Sequence, residues 1–199
     1  MNSAQVPGER AFVAREFRNG LYSTSAYWAA RCTVTLSWVF CCCFAIMPWL
    51  YFLVGLPMDA WRVVPCAFGS ALAAATFVAA AMTIGLAVPD KIRVAQVAEP
   101  LILVMLTCSG GLVARHRFKE IFIWLYWANP LTYAIQNGWI YFFSHRAKDR
   151  DYEWLLHHYD AIPENRLFNV QMLVVLFAAA VLNGFRVARS SLTMTMRGA

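Results

Sequence analysis

The stretch IFIWLYWANPLTYAIQNGWIYFF, residues 121–143, carries no charged side chain. It is long enough to cross a bilayer, for which about 20 apolar helical residues suffice. Asn129-Pro130 stands near its middle, and Gly138 follows further on. Proline has no N–H to donate and its ring clashes with the preceding turn, so a helix entering at Ile121 is expected to stop before Pro130. In hydrocarbon, backbone freed by such a break must be covered by protein or face a water-filled cavity. Broken apolar helices of this kind belong to transport proteins more than to plain anchors. From its residues alone, the stretch is either a further span or a re-entrant hairpin.

The chain around it has the composition of a membrane protein. Of 199 residues, 60% are hydrophobic and only 14% charged. Water-soluble globular domains carry about 25% charged residues. The net charge of +6 is unaccompanied by the alternation of aromatic and basic residues that nucleic-acid binding uses. It is read instead as basic residues at membrane-facing ends, with no nucleic-acid partner. The first 20 residues are polar and include Arg10, Arg15 and Arg18, so no cleavable signal peptide is visible there. Residues 1–25 are expected in the cytosol.

Four further apolar runs read as spans: 26–56, 63–88, 94–113 and 167–187. Pro48 lies within the first. Pro57-Met58-Asp59 and Pro89-Asp90-Lys91 make short turns. The second run is rich in alanine, which permits close helix approach in lipid. A basic patch, Arg115, His116, Arg117 and Lys119, precedes the opening stretch, and a polar segment, 144–164, follows it. Residues 191–199 read as a cytosolic tail. The expected fold is all-α: a polytopic membrane helix bundle of about four transmembrane helices, with 121–143 added as a fifth span or a hairpin. Lysine and arginine divide almost evenly between the two sides in either topology, so the positive-inside rule does not separate them.

Reactive chemistry is sparse. No glycine is followed by lysine, so the GxxxxGK[ST] phosphate loop is absent. HExxH, CxxC and GxSxG are absent as well. No catalytic and no metal-ligating residue is assigned. Six cysteines (Cys32, Cys41, Cys42, Cys43, Cys66 and Cys108) all lie in apolar runs and read as small packing residues. Cys41-Cys42-Cys43 cannot share one metal, because successive helical side chains point about 100° apart. His157-His158 read as a solvated pair.

Polar residues within the third run stand out. Glu99 follows Arg93 by six residues and shares a face with Gln96, so it needs a partner or a proton. It reads either as a relay toward the cytosolic side or as a pair satisfied at a helix interface. Pro100 follows it. Ser109-Gly110-Gly111 near the far end permits a bend or a close crossing.

Several landmarks occur in order: Arg15-Glu16, Gly20-Leu21-Tyr22, Ala26-Tyr27-Trp28, Ser109-Gly110-Gly111-Leu112-Val113, and Trp124 through Tyr133 with Pro130. Their order and spacing resemble the membrane domain of ATP-binding-cassette transporters of the G subfamily, including its White-like and pleiotropic-drug-resistance members. The resemblance covers about residues 12–190. It departs from the family's Glu-Leu-Pro, which here reads Thr35-Leu36-Ser37, and from its external-loop cysteines. It implies that the chain matches the last four of six spans, with 121–143 an external re-entrant hairpin broken at Asn129 and Pro130. It also implies that Arg15, Glu16, Gly20 and Tyr22 couple to a nucleotide-binding domain. Glu99, Met105, Leu106, Gly110, Gly111 and Leu112 would line a transport path. The implied function is ATP-driven export of lipids, sterols or hydrophobic drugs. ATP and magnesium would bind on a separate domain, leaving this chain without a cofactor. Implied partners are membrane lipids, the nucleotide-binding domain, the remaining transmembrane helices, and a homo- or heterodimeric second half. The implied location is the plasma membrane or an organelle membrane. The rival reading is a non-transporting structural or regulatory membrane subunit, or the inert product of a truncated transporter gene. A membrane enzyme would need histidine or acidic clusters at the membrane edges, and none is visible in the sequence.

Overall fold

Helix breakers and caps set the element boundaries in the computed structural model, which describes residues 13, 16, 19, 21–56, 58–88, 91–143, 154 and 156–197. Arg15 and Gly20, most of the segment 1–25, Pro57, Pro89, Asp90 and residues 144–153 lie outside the described residues. Helix α1 covers Thr24–Val54. Ser23 precedes it, and its Oγ accepts the Ala26 N–H at 3.3 Å, as an N-capping serine does. Gly55 ends α1 in a left-handed conformation (φ 73). There the Leu56 N–H reaches back to the Tyr51 carbonyl at 2.9 Å, and the Gly55 N–H to that of Phe52 at 3.2 Å. That pair of bonds is the Schellman closure, which glycine favours because it has no Cβ.

Helix α2 covers Ala60–Ala87 and starts on the Asp59 carbonyl, which accepts from the Arg62 and Val63 N–H groups. Helix α3 covers Lys91–Thr107. Two short helices, α4 (Ile123–Ala128) and α5 (Pro130–Phe143), replace the uncharged stretch. Helix α6 covers Arg166–Arg197. No strand occurs among the described residues, and the protein is an all-α membrane bundle.

Among the described residues, three helices are long and apolar enough to cross a membrane: α1, α2 and the segment Pro163–Ser191 that contains most of α6. The third run differs from expectation. Helix α3 stops at Thr107 instead of continuing to Val113. Its 17 residues rise about 25 Å, somewhat less than the roughly 30 Å of a hydrocarbon core. The early stop has a local cause: Gly110 takes a left-handed φ of 83, and the Ser109 Oγ donates to the Leu106 carbonyl at 2.7 Å. At the other end of the chain, α6 runs past Val187 to Arg197.

The chain divides into two compact units. The first holds residues 1–38, 75–102 and 177–199. Its core joins Trp28 and Cys32 of α1, Met82 and Leu86 of α2, and Ala188 of α6. The Trp28 Nε1–H donates to the Val181 carbonyl at 3.2 Å. Gly184 makes this crossing possible: a Cβ there would lie 2.6 Å from Trp28 Cη2 and 2.8 Å from Thr83 Oγ1.

The second unit holds residues 39–74 and 103–176. In it Tyr51 and Cys66 share a hydrogen bond at 3.3 Å, and Phe142 packs its ring 5.1 Å from that of Tyr51. Asn169 of α6 donates to Asn137 of α5 at 3.2 Å, both buried. Such an interhelical bond contributes about 0.6–2 kcal/mol in a membrane protein. Helix α2 is far more covered than α1: half of its most apolar window is buried, against 6% for α1. Its alanines explain this, since Ala71, Ala73, Ala75 and Ala79 are almost wholly covered. Helix α1 instead exposes Trp38, Trp49, Phe52 and Leu53, an apolar surface suited to lipid.

Candidate functional site

The break at Asn129 is the most elaborated polar feature of the second unit. Asn129 is extended (φ −91, ψ 119) between α4 and α5. Pro130 follows at the first position of α5, where its missing N–H costs nothing. The Asn129 Oδ1 accepts the Leu131 N–H at 3.0 Å and so caps α5. Its Nδ2–H donates to the Met105 carbonyl at 2.5 Å, in the last turn of α3. One fully buried side chain thus begins one helix and closes the end of another.

The carbonyls that the break orphans are satisfied in the same place. A helix end leaves its last four C=O groups without intrahelical partners. Thr132 Oγ1 donates to the Tyr126 carbonyl at 2.8 Å, and the Tyr133 hydroxyl donates to that of Trp127 at 2.7 Å. On α3 the Met105 and Leu106 carbonyls receive Asn129 and Ser109. This answers the requirement that broken backbone in an apolar setting find partners within the protein.

Gly110 and Gly111 let the end of α3 approach the two short helices. A Cβ on Gly110 would stand 2.7 Å from Tyr126 Cε2, and one on Gly111 would stand 3.0 Å from Ile135 Cδ1. The Tyr126 hydroxyl accepts from Gln136 Nε2 at 2.9 Å, linking α4 to α5 across the break. Further along, Arg115 donates from Nη1 to Asp160 Oδ2 at 2.6 Å, and its guanidinium lies 5.0 Å from the centre of the Trp127 ring.

Of the residues singled out in the sequence, Met105, Leu106, Gly110, Gly111, Asn129 and Pro130 meet at this one place. Leu112 is exposed. Glu99 and Gln96 fall in the first unit, both exposed, and neither has a hydrogen bond or ion pair among the described residues. Near the start of α1, Tyr22 donates to the Glu16 carboxylate at 2.6 Å and stacks on Tyr27. Burial, then the hydrogen bond to Glu16, pushes the Tyr22 phenol up to about 12.

Sequence reasoning gave Thr132, Tyr133 and Gln136 no hydrogen-bonding role and did not pair Arg115 with Asp160. Thr132 and Tyr133 carry a usable signal, because donor side chains just after an Asn-Pro break can reach the carbonyls it frees. Arg115 and Asp160 stand 45 residues apart, and nothing local joins them.

The residues at the Asn129 break lie within a recognisable family pattern. The family profile described as ABC-2 type transporter matches residues 2–143, well over half of the chain. No curated protein matches the chain. A domain of this family is the transmembrane component of an ABC transporter; it has no ATPase activity itself and works with an ATPase domain in a lipid membrane. The apolar helices, the carbonyls satisfied around Asn129 and the profile match agree, and the chain belongs to the ABC-2 type transporter family.

Proposed function

We propose that this chain is the last part of the membrane domain of an ABC exporter of the G-subfamily type. It would move lipids, sterols or hydrophobic drugs with energy from ATP hydrolysed on a separate domain. One observation carries the reading: the Asn129 side chain ties the break in 121–143 to the end of α3. In this reading 121–143 is a re-entrant hairpin that caps the outer end of the path. Helix α3 and the turn after it line the path through Glu99, Met105, Leu106, Gly110, Gly111 and Leu112, of which Glu99, Leu106 and Leu112 are exposed. A second half, identical or homologous, covers that exposed face. Arg15, Glu16, Gly20 and Tyr22 receive the push of the closing ATPase domains, and the Glu16–Tyr22 bond passes it to α1.

The test is co-expression with a matching ATPase half and measurement of vanadate-sensitive lipid or dye efflux. Efflux is expected. Absence of both efflux and physical association would overturn the reading. Topology is tested separately with Arg117→Cys and Lys148→Cys in a cysteine-free background. An impermeant maleimide is expected to label both from outside, whereas labelling from opposite sides would make 121–143 a span.

A further inference from the structure

The second unit contains a cavity of about 660 Å³ that the break and the helix ends do not use. Its volume falls in the range of small-molecule sites, roughly 300–1,000 Å³. The polar part of the wall is Arg115, His116, His157, His158 and Asp160. The apolar part includes Phe118, Ile123, Leu156 and Pro163. We propose that this cavity binds an anionic amphiphile, a molecule with a carboxylate or phosphate head and an apolar body.

Among the described residues that line the cavity, side-chain N–H donors outnumber carboxylate acceptors. Arg115 has five N–H groups, and among the described residues its guanidinium makes one hydrogen bond, from Nη1 to Asp160. Each of the three imidazoles carries at least one N–H donor. The one acidic side chain among the described lining residues is paired with Arg115, which offsets its charge. Glu120 and Glu164 lie outside the lining and are exposed. A head group that only accepts hydrogen bonds can use the remaining Arg115 N–H groups and the imidazole N–H groups together.

The donors are also held in place before any ligand arrives. Arg115 is fixed between Asp160 and the Trp127 ring. The His158 ring stacks on Trp154 at 5.0 Å and meets the edge of His116 at 5.3 Å. Side chains ordered in advance lose little freedom on binding, which favours affinity. The apolar body would lie along Phe118, Ile123 and Leu156, of which Leu156 is already buried. The site can hold such a ligand whether or not the chain transports anything.

The experiment uses the full chain in nanodiscs and a long-chain carboxylate carrying a photoreactive diazirine, with crosslinks mapped by mass spectrometry. Labelling is expected on peptides covering 115–123 and 156–163. Unlabelled carboxylate should compete, and the alcohol of equal chain length should compete at least about tenfold more weakly. Ile123→Trp, which fills the apolar end, and the double variant His116→Ala/His158→Ala should each reduce labelling at these peptides by a similar factor. Labelling of lipid-facing α1 serves as the internal measure that each variant is folded and embedded. Equal competition by the alcohol, unchanged labelling in Ile123→Trp, or crosslinks confined to lipid-facing helices would overturn the proposal. Competition by inorganic phosphate as strong as by the carboxylate would also overturn it, because a bare anion would then suffice.

Discussion

The carboxamide of Asn129 works through both of its polar atoms, and substitutions can separate them. Asn129→Ala removes the cap on α5 and the donor to Met105, at an expected cost of about 2 kcal/mol in thermal or denaturant unfolding in detergent. Asn129→Asp keeps an acceptor for the Leu131 N–H but sets a carboxylate against the Met105 carbonyl. It should unfold at least as easily as the alanine variant, and full stability in Asn129→Asp would show that the link to α3 contributes nothing. Gly110 and Gly111 offer a second contrast. Alanine at Gly110 meets both a left-handed backbone and the Tyr126 ring, while alanine at Gly111 meets only the end of the flexible Ile135 side chain. Gly110→Ala is expected to cost about 1–3 kcal/mol and Gly111→Ala distinctly less in the same unfolding assay. Sequence inspection had marked Asn129, Gly110 and Gly111 individually, because proline and glycine announce themselves. Their common meeting place was not legible, since Met105 and Asn129 are 24 positions apart and the contact uses a backbone carbonyl, which no residue type signals.

Among the elements, boundaries followed local chemistry closely. Helix α1 stops at Gly55, and α4 and α5 divide at Asn129-Pro130, where the sequence placed the break. Helix α3 ended sooner than its hydropathy suggested, because hydropathy weighs Cys108 to Val113 as apolar and does not register the turn at Gly110. Where α1, α2 and α6 cross, Gly184 leaves room for an indole pinned by its bond to Val181. Gly184→Ala should lower stability by about 1–3 kcal/mol, read as a loss of melting temperature in detergent. At the start of α1, Tyr22→Phe removes the donor to Glu16. Stability is expected to fall by about 1 kcal/mol or less, while ATP-driven efflux in the co-expressed system falls clearly. The raised phenol sets a pH window. Tyr22's contribution is complete below the ordinary tyrosine value near 10 and disappears as pH rises through about 12. The phenolate absorbance lost on Tyr22→Phe, taken as the difference between the two proteins, should appear only near that pH.

For the whole molecule, composition and patterning settle the class of protein. Sixty per cent hydrophobic residues in long uncharged runs cannot be kept in water, so membrane helices follow from the sequence alone. Order and spacing of short motifs added the transporter resemblance, and the family match over residues 2–143 agrees with it at the level of the membrane domain. Contacts between distant segments belong to the tertiary structure. Asp160→Asn removes the charge that pairs with Arg115 and is expected to cost about 1 kcal/mol or less in unfolding, because the pair is partly exposed; the cost should shrink with added salt. Hydropathy is a sum over neighbours along the chain, so helix positions and the break at Asn129-Pro130 were determined by the sequence itself. Hydrogen bonds to backbone carbonyls, the paired charges of Arg115 and Asp160 and the cavity beside them depend on distances through space. Only the folded chain decides those, because each joins groups that no local spacing brings together.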